Sequence, residues 1–155
     1  MIQRIQSVYL FLAGLIPAFT FTTPLARFQD TKGEGFLTLS ALNLQAANMG
    51  LPNVQPTYLL MAILSALLIA LTAFNIFQYK NRRRQIRITG WSVALVVAWY
   101  IAYIAVSTIL AGELSLSFKP ALCAALPFAS LVFTLLARRA IQKDEELVRA
   151  ADRIR

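Results

Sequence analysis

Four uncharged stretches, each long enough to cross a lipid bilayer, constrain this 155-residue chain more than anything else in it. Arg4 and Arg27 bracket the first, residues 5–26, and the second ends at Tyr79, just before Lys80. Arg87 and Glu113 bracket the third, residues 88–112, while Lys119 and Arg138 bracket the fourth, residues 120–137. A hydrocarbon core about 30 Å thick takes ~20 apolar residues of helix at 1.5 Å rise each. Inside lipid the backbone must satisfy its own polar groups, so runs of this length read as helices. The expected spans are 5–25, 57–79, 88–111 and 120–138, in a single integral membrane domain covering the whole chain. Composition agrees: 14% of residues are charged, against ~25% in soluble domains. The fold class expected is an all-α membrane protein, a four-transmembrane-helix bundle with a small extended cap on its external side.

The charges orient the bundle. One side receives Arg4, the five basic residues from Lys80 to Arg87, and Arg138, Arg139, Lys143, Arg149, Arg153 and Arg155. That is twelve of the fifteen Lys and Arg residues; the other side receives Arg27, Lys32 and Lys119. By the positive-inside rule both termini are cytoplasmic. The basic start followed by an apolar run has the outline of a secretory signal, but Thr22, Thr23 and Pro24 stand where a small-residue cleavage site would be. An uncleaved first helix is the expectation. Pro17 inside it should bend the helix or free a carbonyl for a neighbour to satisfy.

The longest connection, residues 26–56 of the external side, is punctuated by Gly33, Gly35, Gly50, Pro52 and Pro56, so a long helix is not expected there. Phe36–Ser40 alternates apolar and polar residues and reads as a short half-buried strand. The second external connection, 112–119, holds a matching run, Glu113–Phe118, and the two are expected to pair or at least to be extended. Pro120 suits the first turn of the fourth span. Residues 80–87 form a basic cytosolic loop and 139–155 a cytosolic tail. That tail should be an amphipathic helix, with Ile141, Leu147, Val148, Ala151 and Ile154 as its apolar stripe and Glu145 paired with Arg149.

Several chemistries are excluded by absence. The chain has no His and one Cys, Cys123, which removes histidine-ligated metal, Ser–His and Cys–His pairs, disulfides and cysteine-cluster metal sites. Apart from Arg138 at the very end of the fourth, the spans hold no Asp, Glu, Lys or Arg, so they lack the groups that mark proton relays, ion pathways and acid–base catalysis. The expectation is a protein that is not an enzyme and uses no cofactor or metal. Lys80, Arg82, Arg83, Arg84 and Arg87 are placed to meet anionic headgroups, at about 1 kcal/mol each. No aromatic platform accompanies them, so nucleic acid is not expected as a partner.

Weakly polar residues form stripes on each span. Cys123, Pro127, Ser130 and Thr134 share one helical face, as do Ser92, Val96, Trp99, Tyr103 and Ser107. Ser65, Thr72, Asn75 and Tyr79 line a third stripe, and Ser7, Gly14 and Pro17 a fourth. Such residues allow helices to approach closely and bond across the seam. Gln6, Ser7, Asn75, Ser92 and Thr134 lie within about two turns of the cytoplasmic boundary and are expected to form a polar cluster, with Asn75 hydrogen-bonded. Trp91 belongs at the interface and Trp99, Tyr100 and Tyr103 deeper.

The opening Met1-Ile2-Gln3-Arg4-Ile5-Gln6 and the closing block from Ala137 to Arg155, joined to four spans and a basic middle loop, resemble a family of small bacterial membrane proteins. It is catalogued as domain of unknown function 4293 and is typical of the Bacteroidota. The resemblance covers essentially the whole chain and implies a bacterial inner-membrane location, with no activity, substrate or catalytic residue attached. The function expected is that of an accessory or scaffold protein binding a protein partner, or a second copy of itself, through its tail or spans. An uncoupled carrier or lipid-handling protein is the alternative, and a membrane enzyme is disfavoured.

Overall fold

The computed structural model describes residues 2–29, 35–47, 59–79 and 81–153. Four α-helices run in chain order: α1 Ile2–Ala18, α2 Leu59–Phe77, α3 Arg82–Leu114 and α4 Leu126–Arg153. They pack as a ring in which α1 touches α2 and α4, and α3 closes the other side. Neighbours run antiparallel. Gln6 at the start of α1 reaches Ala140 late in α4, and Asn75 at the end of α2 reaches Thr89 early in α3. Both ends of the described chain therefore lie at the same end of the ring, beside the α2–α3 turn.

The helices bury hydroxyl and amide side chains among apolar ones and are apolar outside. Ser65, Thr72, Asn75, Thr89, Ser92, Ser107, Ser130 and Thr134 are buried between them. Phe11, Ile63, Phe74, Ile101, Ile104 and Phe128 are all more than half exposed on the outer surface. A water-soluble monomer seldom exposes a contiguous apolar patch beyond a few hundred Å², whereas lipid makes small and hydroxyl residues the natural helix-contact surface. Three helical segments, Leu59–Phe77, Arg82–Gly112 and Leu122–Val148, are long and apolar enough to cross a membrane. The first apolar helix is shorter, Ile5–Phe21.

Pro17 explains that shortening. It has no N–H to bond the Ala13 carbonyl, and the orphaned oxygen accepts instead from Ser130 Oγ at 2.6 Å, across to α4. Beyond it Thr20 and Thr23 hydroxyls donate back to the carbonyls of Pro17 and Phe19, each at 2.6 Å, tightening the chain into a 3₁₀ turn at Phe19–Phe21. The expectation of 5–25 for the first span thus runs about one turn too far, because the hydroxyls compete with the backbone ladder.

At the opposite end from the termini sits a four-stranded antiparallel sheet: β1 Ala26–Gln29, β2 Phe36–Leu39, β3 Leu44–Ala47 and β4 Ser117–Pro120, in the order β3-β2-β1-β4. Alternation puts Ala26, Phe28, Leu37 and Leu39 on its inner face, where they join Met61, Trp99, Tyr103, Val106 and Leu110 in one core. Tyr103 donates its hydroxyl to the Leu25 carbonyl at 3.0 Å, tying α3 to the strand entry.

Three sequence expectations are corrected here. Phe36–Ser40 and Glu113–Phe118 both contribute strands to the sheet, but they do not pair; β1, unforeseen, lies between β2 and β4. A two-stranded pair is marginal alone, and β1 gives each strand a partner while adding Phe28 to the core. Glu113 itself belongs to α3, which runs to Leu114 and is capped by Ser115. That residue adopts the left-handed conformation (φ 52°) and lets the Leu116 N–H reach back to the Ala111 carbonyl at 3.1 Å. Pro120 does not open a helix. It closes β4 opposite Ala26, and α4 begins at Leu126 after a 3₁₀ turn at Leu122–Ala125 that carries Cys123.

Candidate functional site at the basic end of the ring

The connection between α2 and α3 is tight. Asn81 caps α3, its side chain accepting from the Arg84 N–H at 3.3 Å, so the helix starts at Arg82 and most of the expected basic loop 80–87 is helical. Arg82, Arg83, Arg84 and Arg87 consequently sit on fixed turns rather than on a mobile loop. Lys80 lies outside the described residues. Beneath the turn is a closed polar cluster. The Gln85 amide donates to the Asn75 carbonyl at 3.0 Å, the Asn75 amide donates to Thr89 Oγ1 at 3.0 Å, and Thr89 donates to the Gln85 carbonyl at 2.7 Å. All three side chains are buried, and Asn75 Oδ1 has no hydrogen-bond partner. An unmet buried acceptor costs about 1–3 kcal/mol, and that makes this oxygen the most receptive polar atom of the cluster.

The residues expected to cluster are distributed as follows. Gln6, Asn75, Ser92 and Thr134 are buried, and Ser7 is exposed. Asn75 bonds across helices, while Ser92 and Thr134 each donate to their own helix, to the Ile88 and Ser130 carbonyls. Gln6 reaches α4 rather than α2, donating to the Ala140 carbonyl at 3.2 Å. Gln85 was missed because the arginines around it read as a loop, and Thr89, inside the expected third span, was not among the polar residues singled out. Their spacing of four residues, following a helix-capping Asn, is the signal that could have found them.

The tail docks on this end. α4 continues unbroken from its apolar half to Arg153. Ala137 and Ile141 are fully buried, and Arg82 closes over the next turn. Its guanidinium lies 3.0 Å from Asp144 Oδ2, an ion pair outside hydrogen-bond alignment, and donates to the Asp144 carbonyl at 3.2 Å. Arg83 lies 3.6 Å from Glu145. Glu145 therefore faces α3; the side chain of its expected partner, Arg149, lies outside those described. Arg82 and Asp144 are mostly buried and hold the tail; Arg83 is largely solvated, where such a pair contributes well under 1 kcal/mol.

The expected apolar stripe divides. At 100° per residue Val148 continues the line of Ile141, whereas Leu147 points about 120° away from it. Ile141 is buried within the ring, while Leu147 and Val148 remain 52% and 41% exposed beyond the last ion pair. Ala151 is helical, and Ile154 lies outside the described residues.

The resemblance noted in the sequence is upheld by direct comparison. The family model Domain of unknown function (DUF4293) matches residues 2–154. The chain belongs to this family. Comparison with curated proteins yields no match. Family membership spans both the ring and the docked tail, so α4 and its extension are one unit of DUF4293 rather than an appended segment. Among the described residues no group of three or more His, Cys, Asp or Glu side chains converges as metal ligands would.

Proposed function

We propose that this chain is a bacterial inner-membrane protein with four spans, both termini cytoplasmic and the small sheet on the external face, that serves as a non-enzymatic scaffold. The orientation rests on charge: the end of the ring bearing the termini and the α2–α3 turn receives twelve basic residues, and the sheet end three. At 33 residues α3 is about 50 Å long, well beyond a 30 Å core. Its first turns then project to the headgroups, where the exposed Arg84 and Arg87 meet anionic lipid.

One observation carries the scaffold reading. α4 leaves the membrane as a continuous helix, is clamped by Arg82 on Asp144, and then exposes Leu147 and Val148 between charged residues. An apolar pair on a rigid helix at the membrane surface is a minimal anchor for a partner protein or for a second copy. The carrier alternative needs a wet passage. Ser92, Val96, Trp99, Tyr103 and Ser107 instead form a seam in which none is more than 7% exposed, which favours packing over transport.

The test is a photocrosslinking residue placed at Leu147 or, separately, at Ile141 of the full chain in native membranes. A discrete protein adduct is expected from position 147 and none from 141, with the adduct lost in Val148→Asp. Lipid-only adducts at both positions would refute the scaffold reading.

A further inference from the structure

The external face of the sheet carries an arrangement that the scaffold role does not use. Antiparallel pairing places Arg27 of β1 directly opposite Lys119 of β4 on one side and Thr38 of β2 on the other. Directly opposed residues share a sheet face with Cβ atoms about 5 Å apart, and like charges there destabilise the pair. The inner face beneath them is sealed by Phe28, which is fully buried and packs at a tilt against Phe118, ring centroids 5.5 Å apart. Both cations therefore project outward, into a cleft of about 420 Å³ that Gln29, Phe36 and Thr38 help to line. Lys119 Nζ donates to Gln29 Oε1 at 2.8 Å, which fixes the ammonium over the cleft and leaves the Gln29 amide hydrogens as further donors. The described acids that form ion pairs, Asp144 and Glu145, lie at the far end of the molecule.

We infer that this cleft is an oxyanion site for a phosphate group: the Arg27 guanidinium and Lys119 ammonium supply two opposed charges, with Thr38 and Gln29 as neutral donors. A guanidinium presents a planar fork to two oxygens of a phosphate, and an ammonium acts as a movable point charge on a third. Two cations match the charge of a phosphate monoester, about −1.5 to −2 at neutral pH. The exposed Phe36 at the rim offers an apolar wall to whatever the phosphate is attached to. The same chemistry is presented by inorganic phosphate and by the monoester headgroup of phosphatidic acid, and the cleft lies where either is accessible. The site is independent of the tail, and it stands whether or not the tail binds a protein.

The experiment uses the full chain in phosphatidylcholine nanodiscs at fixed ionic strength, titrated with inorganic phosphate by calorimetry. A parallel series replaces part of the lipid with phosphatidic acid, and native mass spectrometry reads the retained lipid. Arg27→Gln and Lys119→Gln are each expected to weaken binding about tenfold, as loss of a charged hydrogen bond does, and Thr38→Val by less. Arg84→Gln, at the other end, should leave the titration with inorganic phosphate unchanged. Without ligand, Arg27→Gln should leave the melting temperature unchanged or raise it, because a like-charge pair has been relieved. With ligand the same substitution should lower it relative to wild type. Binding of phosphate marks a soluble ligand; retention of phosphatidic acid alone, with the same variant dependence, marks a headgroup. Absence of saturable binding for both probes, or binding equal in the Arg27→Gln/Lys119→Gln double variant, overturns the inference.

Discussion

Removing the Ser130 hydroxyl should cost far more than one oxygen atom suggests, and only while Pro17 is present. Pro17 cannot bond the Ala13 carbonyl, so that buried acceptor depends on Ser130 Oγ at 2.6 Å. Ser130→Ala leaves it unpaired, at a cost of about 1–3 kcal/mol. Interhelical hydrogen bonds in membranes average only about 0.6 kcal/mol, since the loosened helices find other partners. The expected loss is therefore about 1–2 kcal/mol, in the lower part of the first range. Ser and Ala differ by one small atom, so almost none of this is cavity. In a Pro17→Ala background the new N–H of residue 17 satisfies Ala13 within α1, and the same Ser130→Ala change should cost less than about 0.5 kcal/mol. The assay is a double-mutant cycle of equilibrium unfolding in mixed detergent micelles, followed by helical circular dichroism. Equal costs of Ser130→Ala in both backgrounds would show that the hydroxyl is not answering the proline, and the reasoning fails.

Two further outcomes follow from particular contacts. A Cβ at Gly14 would stand 2.6 Å from Thr72 Oγ1 across the α1–α2 seam. Gly14→Ala should therefore lose about 1–3 kcal/mol to overpacking, offset by about 1 kcal/mol of helix propensity, and Thr72→Ala should rescue it in the same unfolding assay. Ser115→Gly relieves a left-handed residue at the end of α3 and should raise stability by about 0.5–1 kcal/mol in thermal unfolding; a lower melting temperature would contradict the cap geometry.

Much of the helical architecture was legible because lipid imposes a length rule on apolar runs, and charge imposes their ends. The freed carbonyl at Pro17 was legible for the same kind of reason: a missing N–H is a local chemical fact. The sheet was legible only in part. Phe36–Leu39 announces itself by alternation, but β1 reads Ala-Arg-Phe-Gln, four residues that no periodicity rule separates from the end of a span. Its strand character comes from lying between β2 and β4. Leu44–Ala47 is likewise a strand because β2 offers it an edge. At the basic end the residue types were right but the grouping was not. Gln6 and Asn75 are both buried there, yet they answer to different helices, Gln6 to α4 and Asn75 to α3.

The sequence by itself determined what depends on one segment at a time: which stretches can be helical in lipid, where Pro17 breaks the ladder, and which end of the ring gathers the basic residues. Tertiary structure decided what depends on pairs distant in the chain. It set Arg82 against Asp144, turning half of the tail from free surface into a docked helix, with Leu147 and Val148 exposed past the clamp. It also set Arg27 against Lys119, whose separation of more than ninety residues hides the opposed charges. Register and helix rotation are properties of a packed whole, and a difference of one residue in either would face these side chains the other way.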